Sequence, residues 1–251
     1  MNQHLFIITG ASRGMGLAMA RQLLQPNNTL LCISRNANET LAVQAKQAAA
    51  RLLQWKQDLT LGARTSARLE QWLREQPGSS FASATLINNA GVIPRIGPLS
   101  DADADDLSNA LRAGLEAPMQ LTSAFLRATQ SWAGVRKVLN ISSGLGRRAM
   151  ASQAGYCAAK AGMDHFTRCV AMEEALRPNG AKVCSLAPGV IDTGMQEQLR
   201  AADSAAFPDQ ASFVNLKTSG ALASPEEAAR RVLSVLMRAD FGTNPVADVR
   251  D

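Results

Sequence analysis

A tyrosine and a lysine stand four residues apart in the stretch "QAGYCAAKAG", residues 153–162. Tyr156 is the only tyrosine in the sequence. The small residues around it favour a closely packed helix, on which positions i and i+4 share a face. There the Lys160 ammonium would favour phenolate over phenol and lower the pKa of Tyr156. The spacing therefore predicts a general acid or base. The alternative is a half-buried tyrosine beside a lysine whose stem packs against it.

A glycine-rich stretch near the N-terminus has the pattern of a phosphate-binding loop. "TGASRGMG", residues 9–16, follows the apolar run "LFIIT" and precedes a helical stretch. A strand, a glycine turn and a helix in this order bring backbone N–H groups and the helix N-terminus to a pyrophosphate. Gly10, Gly14 and Gly16 would permit the turn and the close approach of the phosphates.

The end of the second predicted strand, "CISRN", indicates which dinucleotide is bound. An acidic residue there would accept hydrogen bonds from the ribose hydroxyls of NAD and would repel a 2′-phosphate. Here Ser34 is neutral, Arg35 is cationic, and Arg13 of the glycine loop can approach the same place. The sequence thus favours NADP(H) over NAD, although either arginine could be a solvated surface group.

Short apolar runs alternate with helical stretches along the whole chain. This alternation predicts one α/β domain over residues 1–251: a Rossmann fold with a doubly wound parallel sheet and helices on both faces. The expected strands are residues 5–9, 29–34, 84–88, 135–142 and 181–187, with a weaker one at 52–58. The expected helices are residues 16–25, 40–51, 65–75, 103–130 with possible interruptions at Gly114 and Pro118, 152–176, and one that begins after Ser224.

Residues 194–223 lack a sustained period and are interpreted as a lid over the substrate. A surface excursion without a role is the alternative.

Bulk composition excludes several classes of function. The 251 residues are 46% hydrophobic, and 26 basic and 21 acidic residues are scattered to a net charge of +5. The chain lacks the basic stripe with aromatic residues that nucleic-acid binding requires. Its four cysteines and two histidines show no metal-ligand spacing, and the cysteines are expected to be buried thiols. We expect no metal, no nucleic-acid partner and no membrane partner. With no signal peptide or bilayer-length apolar run, a cytoplasmic location is expected.

Six motifs in order resemble the short-chain dehydrogenase/reductase family over nearly the whole chain. They are "TGASRGMG", Asp58-Leu59, "NNAG" at 88–91, "NISS" at 140–143, "YCAAK" at 156–160 and "APGVIDT" at 187–193. The stretches "YCAAKAGMDHFTRCVAMEE" and "LAPGVIDTGMQEQLR" and the tail "FGTNPVADVRD" resemble sepiapterin reductases and bacterial benzil-reductase-like carbonyl reductases.

The resemblance implies an NADPH-dependent reduction of a ketone or diketone. Ser143 would polarise the carbonyl, Tyr156 would give its proton to the developing alkoxide, and Lys160 would bind the nicotinamide ribose and lower the tyrosine pKa. Ser142 competes with Ser143, but the spacing to Tyr156 favours Ser143. The implied substrate contacts are Ser143, Tyr156, Met195 and Asp248. The implied cofactor contacts are Gly10, Ser12, Arg13, Gly14, Met15, Gly16, Ser34, Arg35, Asp58, Leu59, Asn88, Asn89, Ala90, Gly91, Tyr156, Lys160, Pro188, Gly189, Val190, Ile191 and Thr193.

Asp248 falls where sepiapterin reductases carry an aspartate that anchors the pterin. A solvated acid near the end of the chain is the alternative.

One position departs from the family pattern. Where family members usually have an asparagine in the helix before the serine strand, this sequence has Gly114. In the family, a backbone carbonyl at that helix irregularity holds a water that connects the lysine to solvent. Glycine keeps the carbonyl, so the relay could survive without the side chain.

Two further functions and an assembly remain open from the sequence. A catalytically weak NADP(H)-binding regulator is motivated by Gly114 alone, and a reductase of 3-oxoacyl groups on acyl-carrier protein is compatible with the modest basicity. The family resemblance implies a homodimer or homotetramer formed by the helix near Gly114 and the Tyr156 helix.

Overall fold

Seven parallel strands form one sheet in the order β3-β2-β1-β4-β5-β6-β7. The computed structural model describes residues 3–251. The strands are β1 (Gln3–Thr9), β2 (Asn28–Ser34), β3 (Arg51–Lys56), β4 (Phe81–Asn88), β5 (Val135–Ile141), β6 (Lys182–Ala187) and β7 (Val246–Asp248). The strand order reverses between β1 and β4, and this creates the crevice in which doubly wound folds bind dinucleotides. The predicted fold class is confirmed.

Helices cover both faces of the sheet. They are α1 (Gly14–Gln22), α2 (Glu39–Gln47), α3 (Gly62–Arg74), α4 (Ala104–Leu111), α5 (Ala117–Ala128), α6 (Ala154–Ala175), α7 (Gly194–Ala201), α8 (Gln210–Thr218) and α9 (Pro225–Met237). The predicted cap of α9 is present, because the Ser224 side chain accepts a hydrogen bond from the Glu227 N–H at 3.1 Å.

The alternation of side chains along β1 divides the core into two layers. Leu5 and Ile7 pack with α3 and α5 on one face, whereas Phe6 and Ile8 pack with α1 and α9 on the other. All four residues are at most 4% exposed. A strand that is buried on both faces reads as a continuous apolar run, and this explains why the run at 5–9 was visible in the sequence.

Two expectations about helices need correction, and one strand was not predicted. The helix expected over 40–51 ends at Gln47, because a turn with Ala49 at a φ of +52° leads into β3 at Arg51. Pro118 does not end a helix: it follows the π-helical turn Arg112–Glu116 directly and lies in the first turn of α5. The three residues of β7 were not predicted, because they form no apolar run.

An irregular helical turn joins α4 to α5 at the family's asparagine position. Residues Arg112–Glu116 form a π-helical turn, and Gly114 is buried within it. A Cβ placed on Gly114 would lie 3.4 Å from the Cβ of Ala159 on α6. The backbone irregularity is therefore kept without the asparagine. Its contact residue on α6, Ala159, directly precedes Lys160 in the chain.

The segment 194–223 is more regular than its sequence suggested, because it contains α7 and α8. It also contributes Leu199, Phe207 and Phe213 to a small apolar cluster of its own. Phe207 and Phe213 stack with ring centroids 5.5 Å apart. We call this group the lid cluster; partly buried side chains that pack against it are Ile93, Ile96, Met150, Ala202 and Leu216.

Other expectations concern metal ligands, membrane-spanning helices and the burial of the cysteines. Within residues 3–251, no three His, Cys, Asp or Glu side chains are grouped as metal ligands. In the same range, every helix is too short or too polar to cross a bilayer. The expectation of four buried thiols is wrong for Cys169, which is exposed, and for Cys157, which is half-buried. Both lie on outward-facing parts of α6.

Candidate active site

The glycine loop lies at the carboxyl end of β1, in the crevice next to β4. Gly10 and Gly14 have φ values of +69° and +55°, which favour glycine. A Cβ placed on Gly16 would lie only 2.3 Å from the Gly10 carbonyl oxygen. Thr193, which precedes α7, faces the loop across the crevice, with its Cγ2 3.6 Å from a Cβ placed on Gly14. This cradle of backbone groups at the N-terminus of α1 fits a dinucleotide pyrophosphate.

Asn89 fixes the glycine loop to the neighbouring strand. Its Nδ2 donates to the Thr9 and Gly10 carbonyl oxygens at 2.9 and 3.3 Å. The backbone N–H groups of Asn89 and Ala90 donate to the Thr9 hydroxyl at 2.9 and 3.0 Å. Asn89 and Ala90 of the "NNAG" motif thus hold the backbone of the glycine loop in place.

The expectation that Asn88 lines the cofactor is corrected by its side chain, which points into the core. Asn88 is 1% exposed, and its Nδ2 donates to Asn140 Oδ1 at 2.8 Å and to Thr122 Oγ1 at 3.1 Å. It ties β4 to β5 and α5. The sequence could not show this, because adjacent strand residues point to opposite faces.

The adenosine end of the crevice carries exposed cations. Arg13 and Arg35 are exposed, and Ser34 donates its hydroxyl to the Asn36 carbonyl at 2.8 Å. Lys56, which the sequence reasoning missed, is the β3 residue in register with Ser34 and is also exposed. Its position could have been inferred from the sequence, because Lys56 lies two residues before the predicted cofactor contact Asp58.

The predicted cofactor contacts Asp58 and Leu59 combine an exposed acid with a buried leucine. Asp58 Oδ1 accepts hydrogen bonds from the Thr60 N–H and hydroxyl, both at 2.9 Å, and so begins the short turn 59–61. Leu59 is 7% exposed. Asp58 therefore caps the turn that follows β3.

Other predicted cofactor residues lie around the same crevice. Met15 of α1 is buried in the core, and Ser12 is half-buried with its carbonyl accepting a hydrogen bond from the Asn38 side chain at 3.2 Å. After β6, Gly189 has a φ of +82°, and Val190 is 42% exposed. Pro188 is buried and Ile191 half-buried.

Ser143, Tyr156 and Lys160 lie beside the crevice on two elements. Ser143 follows β5, and its hydroxyl accepts from the Leu145 N–H at 3.2 Å. Tyr156 and Lys160 lie on α6 and are 8% and 4% exposed. The Lys160 Nζ lies 5.7 Å from the centroid of the tyrosine ring and donates to the Ile141 carbonyl at 2.7 Å. It is also 3.7 Å from a Cβ placed on Gly91.

Burial dominates the titration of this pair. It raises the pKa of Tyr156 to about 12, and the Ser143 hydroxyl acts in the opposite direction. Burial likewise lowers the pKa of Lys160 to about 8, against the charge of Asp164. The expected lowering of the tyrosine pKa by Lys160 is therefore not found, because the desolvation of phenolate raises that pKa. Tyr156 is held as a protonated donor.

The lid and the chain's last strand approach the site from the other side. Asp192 pairs with Lys217 of α8 and with Arg200 of α7, the latter at 3.7 Å. Met195 is half-buried in the first turn of α7. Asp248 is 8% exposed and ends β7, where it pairs with Ala187 of β6.

Comparison with known proteins places this geometry in a family. A model described as short chain dehydrogenase matches residues 4–204. The chain is 35% identical over 235 residues to benzil reductase ((S)-benzoin forming) of Bacillus cereus, covering 94% of each. It is 31% identical over 260 residues to sepiapterin reductase of Meriones unguiculatus, covering 98% of this chain and 95% of the relative.

Among solved structures, the KRED1-Pglu enzyme matches with a TM-score of 0.82 and 26% identity. That match covers 98% of this chain and all of the other. The chain belongs to the short-chain dehydrogenase family of nicotinamide-dependent oxidoreductases.

Proposed function

We propose that this protein is an NADPH-dependent reductase of ketones or diketones, with benzil-like and sepiapterin-like compounds as substrates. The observation that carries the proposal is the convergence of Ser143, Tyr156 and Lys160 beside the glycine cradle. The benzil and sepiapterin reductases to which the chain is similar support this choice of substrates.

The three side chains divide the work on the carbonyl group. A reduced nicotinamide held by the glycine cradle would supply a hydride to the carbonyl carbon. Ser143 donates a hydrogen bond to the carbonyl oxygen and stabilises the charge that develops there. Tyr156 transfers its phenolic proton to that oxygen, so hydride and proton together yield the alcohol. Lys160 binds the ribose hydroxyls and stabilises the tyrosinate that is left, and solvent returns the proton.

The proposed preference for NADPH depends on charge at the adenosine end. Arg13, Arg35 and Lys56 provide three exposed cations, and the neutral Ser34 occupies the strand-end position at which an acidic residue would bind the ribose hydroxyls of NAD. A 2′-phosphate would form charge-assisted hydrogen bonds with these groups. Asp58 lies two residues beyond Lys56, with the proposed role of contacting the adenine amino group.

We also propose a homodimer, or a tetramer built from two dimers, that pairs through α5 and α6. Met119 of α5 is 42% exposed, and Met172 of α6 is 72% exposed. Covering such side chains favours association. The native mass in solution tests this, and a monomeric mass would refute it.

The function is tested by following NADPH oxidation with benzil and with sepiapterin. Wild type is expected to turn over, and Tyr156→Phe to lose about 10²- to 10⁴-fold in kcat because it has no proton to donate. The neighbouring Cys157→Ser variant serves as the matched control and should stay within about twofold. NADPH that binds wild type without being oxidised by a broad carbonyl panel would contradict the proposal and favour a binding-only role.

A further inference from the structure

A carboxylate buried one turn beyond Lys160 holds the candidate active site together from below. Asp164 of α6 is 2% exposed. Its Oδ1 accepts hydrogen bonds from the Ser142 hydroxyl at 2.6 Å and the Ser185 hydroxyl at 2.7 Å. Its Oδ2 accepts from the Arg147 Nε at 3.3 Å. One side chain therefore connects α6, β6 and both ends of the loop that follows β5.

That loop, residues 142–147, carries Ser143. Ser142 begins it and Arg147 ends it, and each binds a different oxygen of the same carboxylate. The backbone in between is pressed against the carboxylate, because a Cβ placed on Gly146 would lie 2.9 Å from Asp164 Oδ2. The path of the loop, and hence the place of Ser143, is set by contact with α6.

We propose that Asp164 is a positioning residue that fixes the Ser143 loop against the helix carrying Tyr156 and Lys160. The inference rests on the proposed function, and it adds a residue that does not touch the substrate. A displacement of about 1 Å between reacting groups can cost about 10²-fold in rate, so a clamp of this kind has catalytic consequences.

The charge of Asp164 acts on the same groups. The titratable groups that face it are Lys160 on its own helix, Arg147 from the loop and the Cys184 thiol from β6. Arg147 also faces Asp248 of the last strand. The Asp164 carboxylate raises the pKa of Lys160 against the effect of burial. Loss of that charge would let Lys160 lose its proton at a lower pH.

The network also binds the end of the sheet to the loop. The Arg147 Nη2 donates to the Ala247 carbonyl at 2.8 Å, so the guanidinium spans from Asp164 to β7. A purely structural role for this network would be to stabilise the packing of α6 on β5 and β6. Stability and positioning are separable, because only positioning predicts changes in kcat and in the pH profile at constant cofactor affinity.

The test compares Asp164→Asn with wild type and with Asp240→Asn. Asp240 is an exposed aspartate that pairs with Arg238 at 2.7 Å on the surface, so its variant removes a comparable ion pair elsewhere. We expect Asp164→Asn to lower kcat for benzil by about 10- to 100-fold. The KM and the Kd of NADPH should change by less than about threefold, and the alkaline limb of kcat/KM should move to lower pH. Asp240→Asn should match wild type in all of these.

Two further measurements separate the outcomes. Arg147→Met removes one of the contacts to Asp164 by changing a partly exposed side chain, and a smaller loss of kcat is expected. This variant replaces Asp164→Asn if the latter does not fold. A crystal structure of Arg147→Met should show residues 142–147 displaced from α6 relative to their position in wild type, and this readout does not depend on any substrate. An undisplaced loop, or a lowered melting temperature with unchanged kcat and pH profile, would overturn the inference. If wild type shows no turnover but the loop is displaced in the variant, the result would count against the proposed function and not against the positioning role of Asp164.

Discussion

Asp248 and Arg250 form a two-pronged ion pair at the end of the last strand. The Arg250 Nε lies 2.7 Å from one Asp248 oxygen, and its Nη2 lies 2.6 Å from the other. The aspartate side chain is 9% exposed and the arginine side chain 74% exposed. The Arg250 guanidinium holds the pKa of Asp248 below its usual range. The Asp248 carboxylate, which would anchor a pterin, is thus already paired with Arg250, an exposed side chain that a ligand can displace.

Arg250→Ala is expected to raise kcat/KM for sepiapterin by about 2- to 5-fold, because an exposed ion pair of up to about 1 kcal/mol no longer competes with the ligand. The kcat/KM for benzil, which has no amino group, should be unchanged. Steady-state kinetics with both substrates measure this. Asp248→Asn in the Arg250→Ala background should cancel the gain, whereas an equal gain for both substrates would show that Asp248 does not contact the pterin.

Arg35→Ala should weaken NADPH binding by about 10- to 100-fold, the value of a charge-assisted hydrogen bond to a phosphate. NADH carries no 2′-phosphate, so its Kd should change by less than about twofold. Quenching of tryptophan fluorescence during titration gives both constants. Lys46→Ala, which removes an exposed cation from α2, is the control for net charge. Equal weakening of both cofactors would place Arg35 away from the phosphate.

Gly114→Asn should fold and raise kcat by about 2- to 10-fold if proton return is partly limiting. A Cβ atom can be accommodated at position 114, since it would make an ordinary contact of 3.4 Å with the Cβ of Ala159. The added amide would supply hydrogen-bonding groups beside the π-helical turn. Gly114→Ala adds the Cβ without the amide and should keep the wild-type kcat; a gain in both variants would attribute the effect to backbone stiffening instead.

Activity should fall as the pH rises through the Lys160 titration. The pKa of Lys160 is lowered to about 8, whereas that of Tyr156 is raised to about 12, so the lysine loses its charge first. The kcat/KM should decline about tenfold per pH unit above pH 8, with Tyr156 still protonated. In Lys160→Arg the charge persists and the alkaline limb should move up by more than one unit. A limb that stays in place would assign it to another group.

The sheet was predictable from sequence because its strands are buried on both faces. The runs at 5–9 and 29–34 therefore lack polar interruptions, and the glycine loop and the Tyr156 helix are each recognised within one local stretch. Asp164 could not be found in this way. Its partners Ser142 and Ser185 are 22 and 21 residues distant and meet it only after α6 packs across the sheet. The short β7 owes its existence to pairing with β6 rather than to its own composition.

We expect the lid cluster to give the proposed substrate pocket a preference for apolar ligands. Phe207 and Phe213 pack against Ile93, Ile96 and Met150, which follow β4 and β5 in the chain. Opening the lid transfers this apolar surface into water, and a small polar ligand cannot compensate for that wetting. A ligand with aromatic rings replaces the lost contacts with its own. We therefore expect the chain to discriminate among carbonyl compounds first by how they partition from water, and only then by their shape.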